Sequence, residues 1–239
     1  SEVAVASTNP ALRRNTILPS KVPEEGRPLD QHLPRTADHL VDMIVLEDVC
    51  HGFQIPCVLD LKIGTRQYGV NAPESKRSSK IKKAEQSTTA KLGLRVTGYK
   101  KWNHMARAFE AKSKRECFQF SPSEVESALF DFFGGDATLI AKFLTIAQSF
   151  EQAFTHQTAF RFFTSSILLV YDAQRPAETA RLVMIDFAYT YCHTELVAAG
   201  DQDALEQHDA GYLLGIQSLL CMVEHNLQRA LATKSTNSQ

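Results

Sequence analysis

The chain has 239 residues, of which 44% are hydrophobic, so it is long enough to bury a sizeable core. Its 26 basic and 27 acidic residues give a net charge of −1, which excludes a general attraction to nucleic acid or acidic membranes. Five scattered cysteines indicate neither a disulfide framework nor a zinc site, and no apolar run reaches the roughly 18 to 20 residues of a membrane span. We therefore expect an intracellular protein, in the cytoplasm, the nucleus or both.

The first half of the chain begins with an irregular segment. Residues 1–38 are polar, contain five prolines and lack helical or strand periodicity, so we expect them to be extended or disordered. Two strands are predicted, over 39–49 and over 56–64, and the first of them ends near two acidic residues. The composition of 74–92 favours a helix, and a short strand with a turn is predicted over 92–102.

The second half is predicted to contain three helices and a strand hairpin. An S-x-x-E capping box at 121–124 precedes apolar residues at helical spacing, and a second helix with an apolar face covers 137–154. Strands over 161–171 and 181–188 are expected to pair across a polar loop. A last amphipathic helix covers 212–231, and 232–239 is predicted to be a disordered tail. These elements indicate an α+β fold with an antiparallel sheet backed by helices.

One predicted strand carries an acid and a cation on the same face. In P-C-V-L-D-L-K-I-G, Asp60 and Lys62 are two residues apart, while Leu59, Leu61 and Ile63 face the core. Such a pair can accept a hydroxyl proton and hold a transferring phosphoryl group. The alternative is a surface ion pair worth roughly 0 to 1 kcal/mol, and spacing alone favours that alternative.

Two other places combine polar groups with apolar strands. Asp186 ends the run R-L-V-M-I-D, where a carboxylate needs hydrogen bonds, a cation or a metal. A divalent ion is one candidate partner, and a capping or turn aspartate is the alternative. Ser165 and Ser166 interrupt the apolar neighbours of T-S-S-I-L-L and are candidates to face the same pocket.

The stretch K-R-S-S-K-I-K-K, from Lys76 to Lys83, carries five positive charges and no acid. Helical spacing places Lys76, Lys80 and Lys83 near one face, and Lys91 and Arg95 are candidates to extend the cluster. A solvated face is the usual interpretation, but a multiply phosphorylated ligand requires such a cluster. Aromatic residues are not interleaved with these cations, which argues against nucleic acid.

Four elements, in the same order, resemble the signatures of the inositol-polyphosphate kinases. The segment P-C-V-L-D-L-K-I-G fits P-x-x-x-D-x-K-x-G, and T-S-S-I-L-L resembles an S-S-L-L element. The segment M-I-D-F-A resembles the metal-binding D-F-A/G element, and D-A-G-Y-L-L-G-I resembles D-x-G-Y-I-x-G-L. The segments D-L-K-I-G-T-R-Q-Y-G and K-K-A-E-Q-S-T-T-A-K-L-G-L-R are most similar to the inositol hexakisphosphate kinase branch.

The resemblance implies a fold and an activity. The fold would be the C-terminal, catalytic lobe of a protein-kinase-like fold over 39–231, with the N-terminal lobe missing or truncated, because only Lys21 precedes Lys62 among the lysines. The activity would be ATP-dependent phosphorylation of inositol hexakisphosphate to a diphosphoinositol polyphosphate, with Mg²⁺ as the metal.

The resemblance also implies roles for individual residues. The implied catalytic residues are Asp60 and Lys62. The implied nucleotide-binding residues are Glu47, Asp48, Val49, Asp60 and Asp186. The implied substrate-binding residues are Lys62, Lys76, Arg77, Lys80, Lys82, Lys83 and Tyr189. The implied Mg²⁺ ligands are Asp186 and Ser166.

One residue departs from the hexakisphosphate kinase pattern. Tyr189 follows D-F-A where these kinases typically carry a histidine, and tyrosine has no positive charge at neutral pH. Substrate identity is therefore open at this position, and the missing N-terminal lobe with its lone Lys21 leaves catalysis open, so two alternative functions remain. The first is a catalytically impaired lobe that binds inositol phosphates, and the second is a sibling kinase that acts on less phosphorylated inositols.

Overall fold

A computed structural model describes residues 46–236 of the chain. The chain divides into two compact units, of which the smaller is Ala4–Val49 and the larger is described here from Cys50. The predicted segment 1–38 and most of the predicted strand 39–49 lie outside the described residues. Leu46, Glu47 and Asp48 are exposed and have no regular secondary structure, so the predicted strand does not extend over them.

Within the described part of the larger unit, seven strands and eight helices follow one another. In chain order they are β1 Pro56–Ile63, α1 Glu74–Glu85, α2 Thr89–Leu92, β2 Leu94–Asn103, β3 Ala108–Lys112, α3 Lys114–Cys117, α4 Pro122–Phe132, α5 Ala137–His156, β4 Phe160–Phe163, β5 Ser166–Asp172, α6 Pro176–Thr179, β6 Arg181–Ile185, β7 Tyr189–Cys192, α7 His193–Ala198 and α8 Ala210–Thr236. None of the helices described is long and apolar enough to cross a membrane.

The main sheet has five antiparallel strands in the order β3-β2-β1-β5-β6, so β1 lies at its centre. Side chains of β1 alternate between buried and partly exposed. The buried face carries Leu59, Leu61 and Ile63, none of which has exposed surface. Asp60 and Lys62 lie on the other face, which confirms the prediction from their spacing.

The helices α4, α5 and α8 contribute much of the apolar core behind the sheet. Helix α4 begins at the predicted capping box, because Ser121 Oγ accepts a hydrogen bond from the Glu124 backbone N–H at 3.3 Å. The Glu124 carboxylate accepts in return from the Ser121 N–H at 2.7 Å. Between helix and sheet, the Tyr171 hydroxyl donates to the Phe132 carbonyl at 2.6 Å.

The predicted strand over 161–171 is wrong, because two strands occupy this region. Strand β4 pairs with β7 in a separate two-stranded sheet, whereas β5 belongs to the main sheet. Between them Thr164 has φ +62°, a left-handed conformation that interrupts the extended chain. The predicted pairing with the next strand is confirmed, since β5 and β6 are antiparallel neighbours.

The predicted helix over 74–92 is also interrupted. Helix α1 ends at Glu85 and α2 begins at Thr89. In the gap the Thr88 hydroxyl donates to the Leu94 carbonyl at 2.7 Å, and the Ser87 hydroxyl donates to the Ala84 carbonyl at 3.3 Å. These side-chain bonds offer the backbone an alternative to a continuous helix.

The last helix is longer than predicted. Asp209 accepts a hydrogen bond from the Tyr212 N–H at 3.0 Å, and α8 begins at Ala210. The helix continues to Thr236, so the prediction of a disordered tail is wrong for 232–236. No glycine or proline follows Ile216 within these residues to end the helix.

Two glycines of D-A-G-Y-L-L-G-I allow α8 to approach the sheet closely. A Cβ added at Gly215 would lie 2.3 Å from the Gly93 carbonyl oxygen, and one added at Gly211 would lie 2.3 Å from Thr65 Oγ1. Gly93 itself has φ +62° and its carbonyl accepts from the Gly64 N–H at 2.7 Å. These contacts fix the turn that follows β1.

We expect Gly215→Ala to lower the melting temperature. Overpacking against backbone typically costs about 1 to 3 kcal/mol, which exceeds the roughly 1 kcal/mol that alanine gains over glycine in helix propensity. Thermal unfolding followed by circular dichroism measures the effect. Gln217→Ala, at an exposed position of the same helix, is the matched control. A Gly215→Ala melting temperature at or above that of the control would contradict the close approach.

Candidate functional site

The open face of the main sheet carries a row of polar residues from neighbouring strands. Lys62 of β1 is opposite Arg95 of β2 on one side and Ser166 of β5 on the other. Ser166 is in turn opposite Ile185, which precedes Asp186. Residues opposite one another in antiparallel strands point to the same face, so the register brings these groups together.

Lys62 is the centre of this row. Its ammonium donates to Ser166 Oγ at 3.3 Å and to Asp186 Oδ2 at 3.2 Å. The Lys62 side chain is 18% exposed and that of Asp186 is 58% exposed. Because the carboxylate is so open to water, the ion pair adds little stability. The arrangement instead holds a cation and a carboxylate at the surface, available to a ligand.

Asp186 has an unusual backbone conformation. Its φ is +68°, in the left-handed region that few residues other than glycine adopt, although aspartate tolerates it better than most. Strained residues at the end of a strand are often functional. The conformation therefore favours a functional role for Asp186 over that of an ordinary turn residue.

Asp60 lies on the same face and is partly buried. Burial raises the pKa of its carboxyl group, and the Ser166 hydroxyl and the Lys62 and Arg95 charges oppose that rise. Its Oδ1 atom is buried and has no hydrogen-bond partner among residues 46–236. The pairing of β1 with β2 shifts register between Asp60 and Leu61, an irregularity common beside active sites. Asp60 thus combines a raised pKa with one oxygen that is closed off from solvent and unpaired within the described residues.

The basic face of α1 is directed toward this row. The pKa of Lys80 is lowered by burial and by the neighbouring charges of Lys83, Lys76, Arg95 and Lys114. Because these four charges act on Lys80, they lie near it and form one electropositive surface that includes the strand residue Arg95. A polyanion placed here would relieve the repulsion.

Sequence reasoning missed Lys114. Gly98 is opposite Asp60 in the sheet, and a Cβ added to Gly98 would lie 3.0 Å from the Lys112 carbonyl oxygen and 3.7 Å from the Lys114 nitrogen. The segment from Lys112 to Lys114 therefore crosses the open face beside Asp60. A glycine within a strand pattern often marks such a close approach of backbone, so Gly98 was the available signal.

Two cations predicted to bind substrate lie away from this surface. Arg77 donates through Nε to the Ala72 carbonyl at 3.1 Å and through Nη2 to the Val70 carbonyl at 2.7 Å, so it holds the loop before α1. Lys82 is exposed, and at two residues from Lys80 it lies on a different side of the helix. The hydrogen bonds of Arg77 therefore direct it toward the preceding loop, and helical geometry separates Lys82 from Lys80.

Tyr189 does lie beside the basic face. The Lys76 ammonium is 5.7 Å from the centre of the Tyr189 ring, within the range of a cation–π contact. The loop before α1 packs against the same ring, because a Cβ at Gly69 would lie 2.3 Å from it. The structure thus brings Tyr189 next to one predicted substrate-binding lysine.

The remaining candidates fall elsewhere. Both serines are buried, but the Ser165 hydroxyl donates to the Phe162 carbonyl at 3.4 Å, whereas that of Ser166 accepts from Lys62. Lys91 is exposed on α2. Glu47, Asp48 and Val49 belong to the smaller unit, and their contact with nucleotide remains a prediction.

The donors present suit a magnesium ion that is bound jointly with a ligand. Nowhere in residues 46–236 do three or more histidine, cysteine, aspartate or glutamate side chains gather around one point. Magnesium commonly binds through one or two carboxylates together with substrate phosphates. Asp186 provides an exposed carboxylate of which only Oδ2 contacts Lys62, and the Ser166 hydroxyl is adjacent.

Solved structures show which fold this is. A structure of an inositol phosphate multikinase matches with a TM-score of 0.66 and 22% identity, covering 78% of this chain and 86% of that chain. A multikinase from S. cerevisiae, in complex with ADP and Mn²⁺, matches with a TM-score of 0.62 and 20% identity, covering 74% and 81%. The fold is that of the inositol phosphate kinases.

Sequence comparison identifies the family. The inositol polyphosphate kinase family model matches residues 43–224. Inositol hexakisphosphate kinase 2 of Homo sapiens is 30% identical over 217 residues, covering 75% of this chain and 50% of the relative. Inositol hexakisphosphate kinase 3 of Mus musculus is 31% identical over 196 residues, covering 74% and 49%. The chain belongs to the inositol polyphosphate kinase family and spans about half the length of these relatives.

We expect Asp60→Asn to raise the melting temperature at neutral pH. Because the pKa of Asp60 is raised in the folded chain, ionisation of this group destabilises the fold at every pH above its unfolded value, near 3.8. The advantage of the variant should shrink as the pH falls to about 4. Thermal unfolding at several pH values measures it, with the exposed Glu224→Gln as control. Equal melting temperatures of Asp60→Asn and wild type at neutral pH would contradict the raised pKa.

Proposed function

We propose that the chain is the catalytic lobe of an ATP-dependent kinase that transfers a phosphoryl group to an inositol polyphosphate. The observation that carries the proposal is the contact of Lys62 with both Ser166 and Asp186 beside the partly buried Asp60. In the proposed mechanism these residues serve as a base, a cation and a candidate metal ligand on one face of the sheet. Phosphoryl transfer depends mainly on such positioning and electrostatic stabilisation.

Each residue has a role in this mechanism. The Asp60 carboxylate, whose pKa is raised, accepts the proton of the attacking inositol hydroxyl. The Lys62 ammonium stabilises charge on the transferring phosphoryl group. Asp186, with Ser166, would hold Mg²⁺, which when bound with ATP neutralises charge on its phosphates. The structure of the S. cerevisiae relative in complex with ADP and Mn²⁺ supports a nucleotide and a divalent ion as ligands.

We further propose inositol hexakisphosphate as the acceptor. Lys80 lies near four other cations, which are Lys76 and Lys83 of α1, Arg95 of β2 and Lys114 of α3. A surface with this charge is suited to several phosphates at once. The relatives named as inositol hexakisphosphate kinases support the same choice. A less phosphorylated inositol is the second candidate, because Tyr189 contributes no charge next to Lys76.

We expect the chain to convert ATP, Mg²⁺ and inositol hexakisphosphate into a diphosphoinositol polyphosphate. Asp186→Asn and Lys62→Met should each reduce the rate by about 100-fold or more, as loss of a group that stabilises transition-state charge commonly does. Chromatography of the inositol products measures the rate. Lys142→Met, at an exposed position of α5, should leave it unchanged.

Two results would contradict this proposal in different ways. Equal rates for the wild type and Asp186→Asn would exclude the proposed site. Calorimetric binding of inositol hexakisphosphate, without turnover and without binding of ATP, would instead support a catalytically impaired lobe that binds inositol phosphates.

We expect Tyr189→His to increase the preference for hexakisphosphate over trisphosphate. Histidine titrates with an ordinary pKa of about 6.5, so its added charge should raise hexakisphosphate affinity several-fold at pH 6 and little at pH 8. Calorimetry with both ligands measures the change. Tyr189→Phe, which removes the hydroxyl without adding charge, is the matched control. An unchanged preference at pH 6 would show that Tyr189 does not select the substrate.

A further inference from the structure

The loop between β1 and α1, residues 64–73, decides where the basic face of α1 lies. Of the twelve residues of α1, Ala84 alone is buried, so the helix has few packing contacts of its own. The exposed Lys76 lies in its first turn, directly after the loop. The place of Lys76 therefore depends on the contacts that hold the loop.

A small second core anchors this loop. Val70 is 7% exposed and packs with Phe163 of β4 and Leu196 of α7, in a cluster separate from the main core. The Val70 N–H donates to the Tyr191 hydroxyl at 3.3 Å, and the Val70 carbonyl accepts from Arg77 at 2.7 Å. The loop is thus held against the two-stranded sheet of β4 and β7.

Gly69 lies at the contact between the loop and β7. A Cβ added to Gly69 would lie 2.3 and 2.7 Å from two carbons of the Tyr189 ring, and 2.7 Å from the Tyr191 hydroxyl oxygen. These distances are far shorter than the ordinary carbon contact of about 3.5 to 4.0 Å. Gly69 does not have the positive φ that Gly64 has, so its backbone would accept alanine. The space taken by a side chain, and not the backbone conformation, therefore explains the glycine.

Tyr189 connects this contact to both halves of the proposed site. On one side the Lys76 ammonium is 5.7 Å from the centre of its ring. On the other side Tyr189 follows Asp186 by three residues, and the Thr190 N–H donates to the Phe187 carbonyl at 3.1 Å, which closes the turn between them. The ring thus separates a cation of α1 from the segment that carries the candidate metal ligand.

We propose that Gly69 is a positioning residue that sets the place of Lys76 relative to Asp186, through the ring of Tyr189. The inference rests on the proposed function, because Lys76 is there a ligand of a substrate phosphate. A side chain at position 69 displaces the ring, the loop or both, and Lys76 then loses its position beside the site. Gly69 in this way selects an acceptor that has a phosphate within reach of Lys76.

We expect Gly69→Ala to raise the KM for inositol hexakisphosphate by roughly 10-fold, since it removes one charge-assisted contact to a phosphate. The KM for ATP should stay within about 2-fold of the wild type, because Lys76 does not hold the nucleotide. General damage to the fold would alter both constants. Asn71→Ala, at an exposed position of the same loop, is the matched control and should change neither.

Double variants identify the route of the effect. In a Tyr189→Ala background, Gly69→Ala should change the KM for hexakisphosphate little, because the added methyl group no longer meets the ring. In a Tyr191→Phe background the full effect should persist. Additive effects in the first background, or loss of the effect in the second, would overturn the inference. If Gly69→Ala alone does not fold, circular dichroism should show that Tyr189→Ala restores folding, and failure to restore it is equally contrary.

NMR of the Lys76 side chain tests the link without any ligand. Protons that lie against an aromatic ring are shifted upfield, so the ε-methylene protons of Lys76 should lose this shift in Gly69→Ala and keep it in Asn71→Ala. An unchanged Lys76 resonance in Gly69→Ala would overturn the inference whether or not the chain is a kinase. A wild type that neither binds nor phosphorylates hexakisphosphate, although Lys76 responds as expected, would instead refute the proposed function and the selection of substrate with it.

Discussion

The alternation of side chains along β1 is the constraint on which the site depends. Four residues of this central strand, Cys57, Leu59, Leu61 and Ile63, are completely buried, and each large apolar side chain contributes about 1.5 to 3 kcal/mol on burial. A shift of one residue would expose all of them, so the register is strongly specified. Because the apolar side is fixed, Asp60 and Lys62 are held on the open side. The same register aligns Lys62 with Arg95 and Ser166.

The site retains features that do not favour folding. Asp60 is partly buried with a raised pKa and has an unsatisfied oxygen, while Asp186 has a left-handed backbone conformation. Each of these features costs folding free energy. The close contact of α8 with the turn after β1 offsets this by fixing the backbone on either side of the site. The buried face of the sheet thus supplies the stability, and the open face carries the reactive groups.

The features that could be predicted from the sequence are those that depend on the local periodicity of strands and helices. Asp60 and Lys62 share a face because a strand repeats every two residues, and Lys76, Lys80 and Lys83 share one because of helical spacing. The sequence did not predict the break at Thr164, since threonine rarely adopts a left-handed conformation and nothing in T-S-S marks it. Lys114 was missed because it comes next to the site only after β2 and β3 pair, which brings the segment that follows β3 over Gly98. Such positions depend on contacts that are distant in sequence.

Helix α1 carries the basic face of the proposed kinase site and also lines a cleft of about 530 Å³ on another side. On the basic face, burial and the repulsion of neighbouring cations lower the pKa of Lys80. A polyanion would remove that repulsion, so its binding is linked to the stability of the helix. The other side faces a cleft instead of a filled core, and α1 buries only Ala84. Because α1 buries so little apolar surface, a ligand on its basic face can stabilise the helix appreciably.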